Sequence, residues 1–167
     1  DGSQAATLPS AGTINLWPSA VDATSADGPG VPNYVSGLTI SPDGQRLWYA
    51  AKKDNVQQGE LFGADLLTDS TVRAILGRID LGTNQDVVGD RIDFDNADSP
   101  TAITFSPRGD WAFVTAQGNN LVGVFDVLKI QATETAQSKS THARWGVGFA
   151  PQGLVLDAGR GTLWVKN

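Results

Sequence analysis

Ser41-Pro42-Asp43-Gly44-Gln45-Arg46-Leu47-Trp48-Tyr49 returns in altered form twice later in the chain. Ser106 to Val114 reads S-P-R-G-D-W-A-F-V, and Asp157 to Val165 reads D-A-G-R-G-T-L-W-V, at offsets of 65 and 51 residues. A short apolar run led by a small residue precedes each copy: Gly37-Leu38-Thr39-Ile40, Ala102-Ile103-Thr104-Phe105 and Gly153-Leu154-Val155-Leu156. A second apolar run, around Trp48, Phe113 and Trp164, closes each copy. Pro42 and Pro107 preset φ for the second position of a turn, and Gly44 and Gly109 can take the positive φ that ends it. Each copy therefore predicts strand, tight turn, strand. In the third, Ala158 replaces the proline.

Working outward, the second copy continues through a turn at Gln117–Asn120 into an apolar strand at Leu121–Val127. After the first copy, a loop over Lys52–Gln58 leads to a third strand at Glu60–Leu66 and a fourth at Thr71–Leu76, extended by Arg78–Leu81. Four strands every ~40–50 residues is the period of a propeller blade. The excess length of the first unit lies in Gly82–Pro100, rich in Asp and Asn, and Gln131–Trp145 is a similar polar stretch read as loop or poor strand. The first 33 residues read as irregular, with one strand near Thr13–Trp17, the outer strand of a preceding blade.

Composition agrees with an all-β fold. The 167 residues include 19 Gly, 8 Pro and only 18% charged residues, against a usual ~25%. The net charge of −6 speaks against nucleic acid, which calls for a basic stripe, and against an anionic membrane surface. With no cysteine, the chain cannot hold disulfides, zinc–thiolate sites, iron–sulfur clusters or a C-x-x-C-H haem attachment. No apolar run approaches the ~20 residues of a membrane span. The start at Asp1-Gly2-Ser3, without Met, reads as a processed or excised product, as removal of a secretory signal would leave.

The units S-P-D-G-Q-R-L-W-Y and S-P-R-G-D-W-A-F-V, followed by Q-G-N-N-L-V-G-V-F-D-V, resemble the bacterial YVTN-type β-propeller repeat. Pro151-Gln152-Gly153-Leu154 matches its lead-in. The resemblance covers Gly37–Asn167 and departs from the pattern in the third turn and in the two polar stretches. It implies a partial propeller of about two and a half four-stranded blades: residues 34–100 with an acidic insert, 101–150 with a polar insert, and 151–167 as the first hairpin of a third. A ring needs about 4–8 blades. An arc would bare apolar blade faces and the strand edge at Leu163-Trp164-Val165. The remaining blades are therefore expected on other polypeptide, with the last hairpin packed against it.

Candidate chemistry is sparse. Asp86, Asp90, Asp93, Asp95, Asn96 and Asp98 are hard oxygen ligands of the kind Ca²⁺ prefers, but their spacing does not fit an EF-hand loop. The plainer reading is a solvated loop whose side chains cap turns. His142 is the sole histidine, so neither a two-histidine metal site nor haem ligation by two histidines can be assembled from this chain. Trp48, Trp111 and Trp164 read as packing between blades. Arg144 and Trp145 precede the third unit in what reads as a rim loop, and together with Leu163, Trp164 and Val165 form the expected partner interface.

The resemblance implies a non-catalytic binding or scaffold propeller, periplasmic or at the cell surface, docking a redox protein. Families similar to this repeat include propellers linked to di-haem cytochromes or quinone enzymes. The alternatives are part of a propeller enzyme, of lactonase or amine-dehydrogenase large-subunit type, and a Ca²⁺-stabilised surface module.

Overall fold

The computed structural model describes residues 14, 16, 30–55, 60–61, 64–65, 72–94, 97–132 and 141–167. Among these the chain is all-β, in several antiparallel sheets with no closed barrel.

The first sheet is built on β1 (Gly30–Ile40) and β2 (Arg46–Asn55), joined by the predicted turn. Its third strand is β5 (Val72–Asp80), which pairs with β2 from Arg46↔Asp80 to Asp54↔Val72. The expected third strand at Glu60–Leu66 is not part of this sheet. β3 (Glu60–Leu61) and β4 (Ala64–Asp65) instead form a two-stranded hairpin of their own. The expected loop from Lys52 also gives way, because β2 runs on to Asn55 and β5 follows it along that whole length.

The fourth position of the sheet is filled from the acidic stretch. β6 (Gln85–Asp86) and β7 (Ile92–Asp93) pair in turn along the far edge of β5, with a 3₁₀ turn at Val88–Asp90 between them. Of the segment expected near Thr13–Trp17, Ile14 and Leu16 are described, and they pack on this sheet.

The second sheet is a four-stranded meander of β8 (Pro100–Phe105), β9 (Trp111–Ala116), β10 (Leu121–Asp126) and β11 (Thr141–Gly146). A six-residue helix, α1 (Val127–Ala132), follows β10. β11 lies in the polar stretch read as loop or poor strand; Trp145 opposite Val122 and Ala143 opposite Val124 show why it pairs. β12 (Gly153–Asp157) and β13 (Thr162–Lys166) form the third hairpin.

Strand alternation gives each sheet two faces. The face of the first sheet carrying Trp48, Ala50 and Leu76 packs on the face of the second carrying Ile103, Phe105, Val114 and Phe125, which makes the main core. Trp48 meets Phe105 edge to face at 5.3 Å, and Phe94 meets Phe125 at 4.9 Å. The hairpin packs β12 against β8 and β9 on the second sheet's other face.

Two backbone features repeat with the sequence offsets. Tyr34, Ser99 and Ala150 all take positive φ (46°, 52° and 54°), Tyr34 at the register shift within β1 and the other two just before β8 and β12. The Ser36 hydroxyl donates to the Pro100 carbonyl, and the Thr101 hydroxyl donates to the Pro151 carbonyl at 2.9 Å. Ser36 and Thr101 hold one place in the repeat, and Pro100 and Pro151 another. The first sheet thus meets the second in the way that the second meets the hairpin.

Candidate functional site

The turns of the first two units lie side by side. A Cβ on Gly109 would stand 3.3 Å from Pro42 Cδ, and Gly109 itself takes φ +75° to close its turn. Both turns use one scheme. The Ser41 hydroxyl accepts the Arg46 N–H at 3.0 Å and donates to Asp43 Oδ1 at 2.5 Å. The Ser106 hydroxyl accepts the Trp111 N–H at 3.0 Å and donates to Asp110 Oδ1 at 2.5 Å. These serine hydroxyls are the first cause holding the carboxyls of Asp43 and Asp110 below their usual range.

Beside these turns is a cleft of about 470 Å³ lined by Asp43, Gln45, Arg46, Arg78 and Asp90. The register of β2 and β5 sets Arg46 opposite Asp80 and Trp48 opposite Arg78. Arg46 bridges Asp80 at 2.5 Å, and Asp80 also accepts the N–H groups of Thr83 and Gly82, both at 2.9 Å. The Thr83 N–H is the leading reason the Asp80 carboxyl is held low. Arg78 is buried, bridges Asp90, and lies over the Trp48 ring at 5.2 Å. Burial pulls its pKa down and Asp90 opposes this. Its Nε and Nη1 have no hydrogen-bond acceptor among the described residues, where the ring face and Asp90 offset its desolvation.

The acidic residues are parted by the sheet itself. Asp86 opposes Ile79 on the face away from the second sheet, where it accepts from the Tyr49 hydroxyl at 3.1 Å and bridges Arg91 at 2.5 Å. Burial raises the Tyr49 phenol pKa well above its usual value of 10.0. Asp90 reaches Arg78 on the opposite face. Asp98 lies beyond β7, 3.4 Å from the Lys52 amine. Asp95, Asn96 and the Asp93 side chain are outside the described residues. Among the described residues no three His, Asp or Glu side chains converge as a metal site would require. The sequence reading missed the buried roles of Tyr49, Arg78 and Arg91. The available signal was Arg78 just before the acidic stretch and Arg91 within it.

Arg144 and Trp145 fall within β11, not in a rim loop, because their strand pairs with β10. Arg144 lies over Phe94 at 5.9 Å on the core-facing side. Trp145 stacks on Phe113 at 6.0 Å on the other side, where His142 also meets Trp111 at 4.8 Å, and both Trp145 and His142 are exposed. In β13, Leu163 and Val165 are half-buried, while Trp164 is exposed opposite Val155. The expectation that Trp164 packs between sheets does not hold within the chain. Leu38 and Ile40, exposed on β1, were not singled out, although they share their repeat places with buried Ile103 and Phe105.

No family model and no curated protein matches the chain. Its structure is similar to Kuenenia stuttgartiensis hydrazine synthase, with a TM-score of 0.62 at 12% identity over 81% of this chain and 45% of that one. It is also similar to a functionally unknown protein from Desulfotomaculum acetoxidans, with a TM-score of 0.42 at 17% identity over 86% of this chain and 54% of that one. The chain spans about half the length of these solved structures, and the likeness to hydrazine synthase is one of fold. No helix among the described residues is long and apolar enough to cross a membrane.

Proposed function

We propose that this chain is a binding scaffold: an arc of about two and a half β-propeller blades, completed by further polypeptide, that works outside the cytoplasm and presents its turn rim to a redox protein. The propeller reading is supported by the recurring hydroxyl-to-proline-carbonyl contact between successive sheets. The extracytoplasmic setting and the redox partner are supported by the resemblance to the YVTN-type repeat.

One observation carries the choice of binding over catalysis. In the rim cleft the charges answer each other, Arg46 with Asp80 and Arg78 with Asp90, and Asp43 is held by its own turn. A general base or nucleophile needs a perturbed group aimed at open space. Here the carboxyls that shift go down, toward inert anions. Fixed, paired charges around a polar cleft suit recognition of a charged protein surface, where they set orientation and on-rate.

A photoreactive benzoyl-phenylalanine at exposed position 45, in the protein as its own cells make it, tests this. The expected adduct carries the visible absorbance of a haem, flavin or copper protein. Turnover of a lactone or an amine by the chain, abolished by Asp90→Asn, would contradict the scaffold reading. The same probe at position 164 is expected to capture polypeptide packed on the hairpin, and recovery of the protein without any adduct would count against the propeller.

A further inference from the structure

The core between the first two sheets gives way to charge at its turn end. Arg46 and Trp48 point the same way along β2, and the register with β5 sets Arg78 beside Trp48. Trp48 belongs to the core, so Arg46 and Arg78 lie on the face that the second sheet covers. The rim cleft therefore opens beside a junction whose two sheets are both present, and not at an end of the arc. Its lining is two cations, two anions and one amide: Arg46, Arg78, Asp43, Asp90 and Gln45. These charges cancel. Its volume of about 470 Å³ falls within the range of about 300–1,000 Å³ typical of small-molecule sites.

The ion pairs leave hydrogen-bonding capacity over. Asp90 meets Arg78 through Oδ2, and its Oδ1 has no partner among the described residues. Asp43 accepts from the Ser41 hydroxyl and the Gln45 N–H through Oδ1, which leaves Oδ2. Arg46 uses Nη1 for both Asp80 and the Gln45 carbonyl. Arg78 is the anomaly. Its side chain is 3% exposed, yet among the described residues Nε and Nη1 donate to nothing. Buried donors without an acceptor are costly, and a bound oxygen would relieve that cost.

A ligand that answers this wall must both donate and accept. An anion only accepts, and would face the spare oxygens of two carboxylates. A cation only donates, and would face two guanidiniums. A hydroxyl does both, and carries no charge to desolvate. We propose that the rim cleft binds a neutral saccharide, whose neighbouring hydroxyls donate to Asp43 and Asp90 and accept from Arg46 and from Arg78 turned toward the cleft. The lining is already tethered by its own turn and ion pairs, so little ordering is left for the ligand to drive. The Trp48 ring lies behind Arg78, so the grip is by hydrogen bonds and not by stacking. The inference goes beyond the scaffold reading and uses only the capacity that the charge pairs leave over.

Nuclear magnetic resonance titration of the chain with glucose, and separately with cellobiose, tests it. Saturable shifts are expected at the Gly44 and Gln45 amides and at Arg78 Nε–H, with none in β13. Asp43→Ala, at an exposed position, is expected to weaken binding about tenfold, as for one hydrogen bond to a charged group. Gln45→Trp, which fills the cleft from an exposed position, is expected to abolish it. Circular dichroism checks that both variants fold; should either fail, the Arg78 Nε–H shift in the unaltered chain decides. Inorganic phosphate and acetamide are expected to give no saturable shift. No saturable shift with either sugar, shifts that survive in folded Gln45→Trp, or binding of phosphate or acetamide in place of sugar each overturns the proposal. A haem-protein adduct at position 45 without sugar binding would overturn the saccharide and leave the scaffold reading standing. Sugar binding without any adduct would do the reverse.

Discussion

Trp48 and Trp164 occupy one place in the repeat and live in opposite surroundings: Trp48 is 1% exposed and Trp164 58%. The same inversion appears at the other end, where Leu38 is 62% exposed and its counterpart Ile103 8%. Local structure does not cause the difference, since each tryptophan sits on the second strand of a hairpin, cross-strand from Thr39 or Val155. What differs is the neighbouring sheet. The junction between the first two sheets is covered across four strands, while the next has only a two-stranded hairpin to cover it. Beyond that hairpin, Trp145 and His142 stay exposed on the second sheet. A sheet face in this fold is thus half an interface, and its burial is decided by what stands beside it.

The sharpest way to break this comparison is to truncate both tryptophans. Trp48→Ala is expected to cost about 3–5 kcal/mol by denaturant unfolding, as for a large buried aromatic. Trp164→Ala, measured on the chain alone, is expected to cost less than about 0.5 kcal/mol, as at an ordinary surface site. Equal losses would mean that Trp164 is covered within its own chain.

A second expectation confines damage to the first sheet. Asp86→Asn takes away the negative charge that the buried Arg91 bridges, while its amide oxygen can still accept from Tyr49. A loss of about 3 kcal/mol is expected. Amide exchange should rise in β5 and β6 and stay unchanged in β13, and a uniform rise would show that the sheets are not separable units. The third expectation concerns the weaker junction. Thr101→Val deletes the donor to Pro151 and is expected to cost about 1 kcal/mol, with exchange rising in β12 and β13 first.

The smallest effect is in alkali. Burial raises the Tyr49 pKa in the folded state, so the unfolded chain loses this proton first as pH rises. The contribution is whole below the ordinary value of 10.0 and is lost as pH climbs toward the raised one. Stability is therefore expected to fall above about pH 10, and Tyr49→Phe to remove that part of the slope.

The hairpins were legible in the sequence because their determinants are local: Pro42, Gly44, Pro107 and Gly109 specify turns on the spot. The third strand of the first sheet was not. Glu60–Leu66 and Val72–Asp80 both carry strand-forming residues, and the choice between them rests on register with β2, a long-range match. Nor did composition disclose the fourth position, where Gln85–Asp86 is as polar as any loop. The left-handed residues at Tyr34, Ser99 and Ala150 share a repeat place but no chemistry, so only the backbone shows them. At the rim, the turn carboxyls could be read from their serines, whereas the pairing of Arg78 with Asp90 needed the fold to bring the two together.

Hydroxyl-radical footprinting of the assembled protein puts the account to its most direct test. Trp164 and Val155 are expected to be as protected as Trp48. Oxidation of Trp164 at the rate of a free indole, in protein that is assembled and folded, would contradict it.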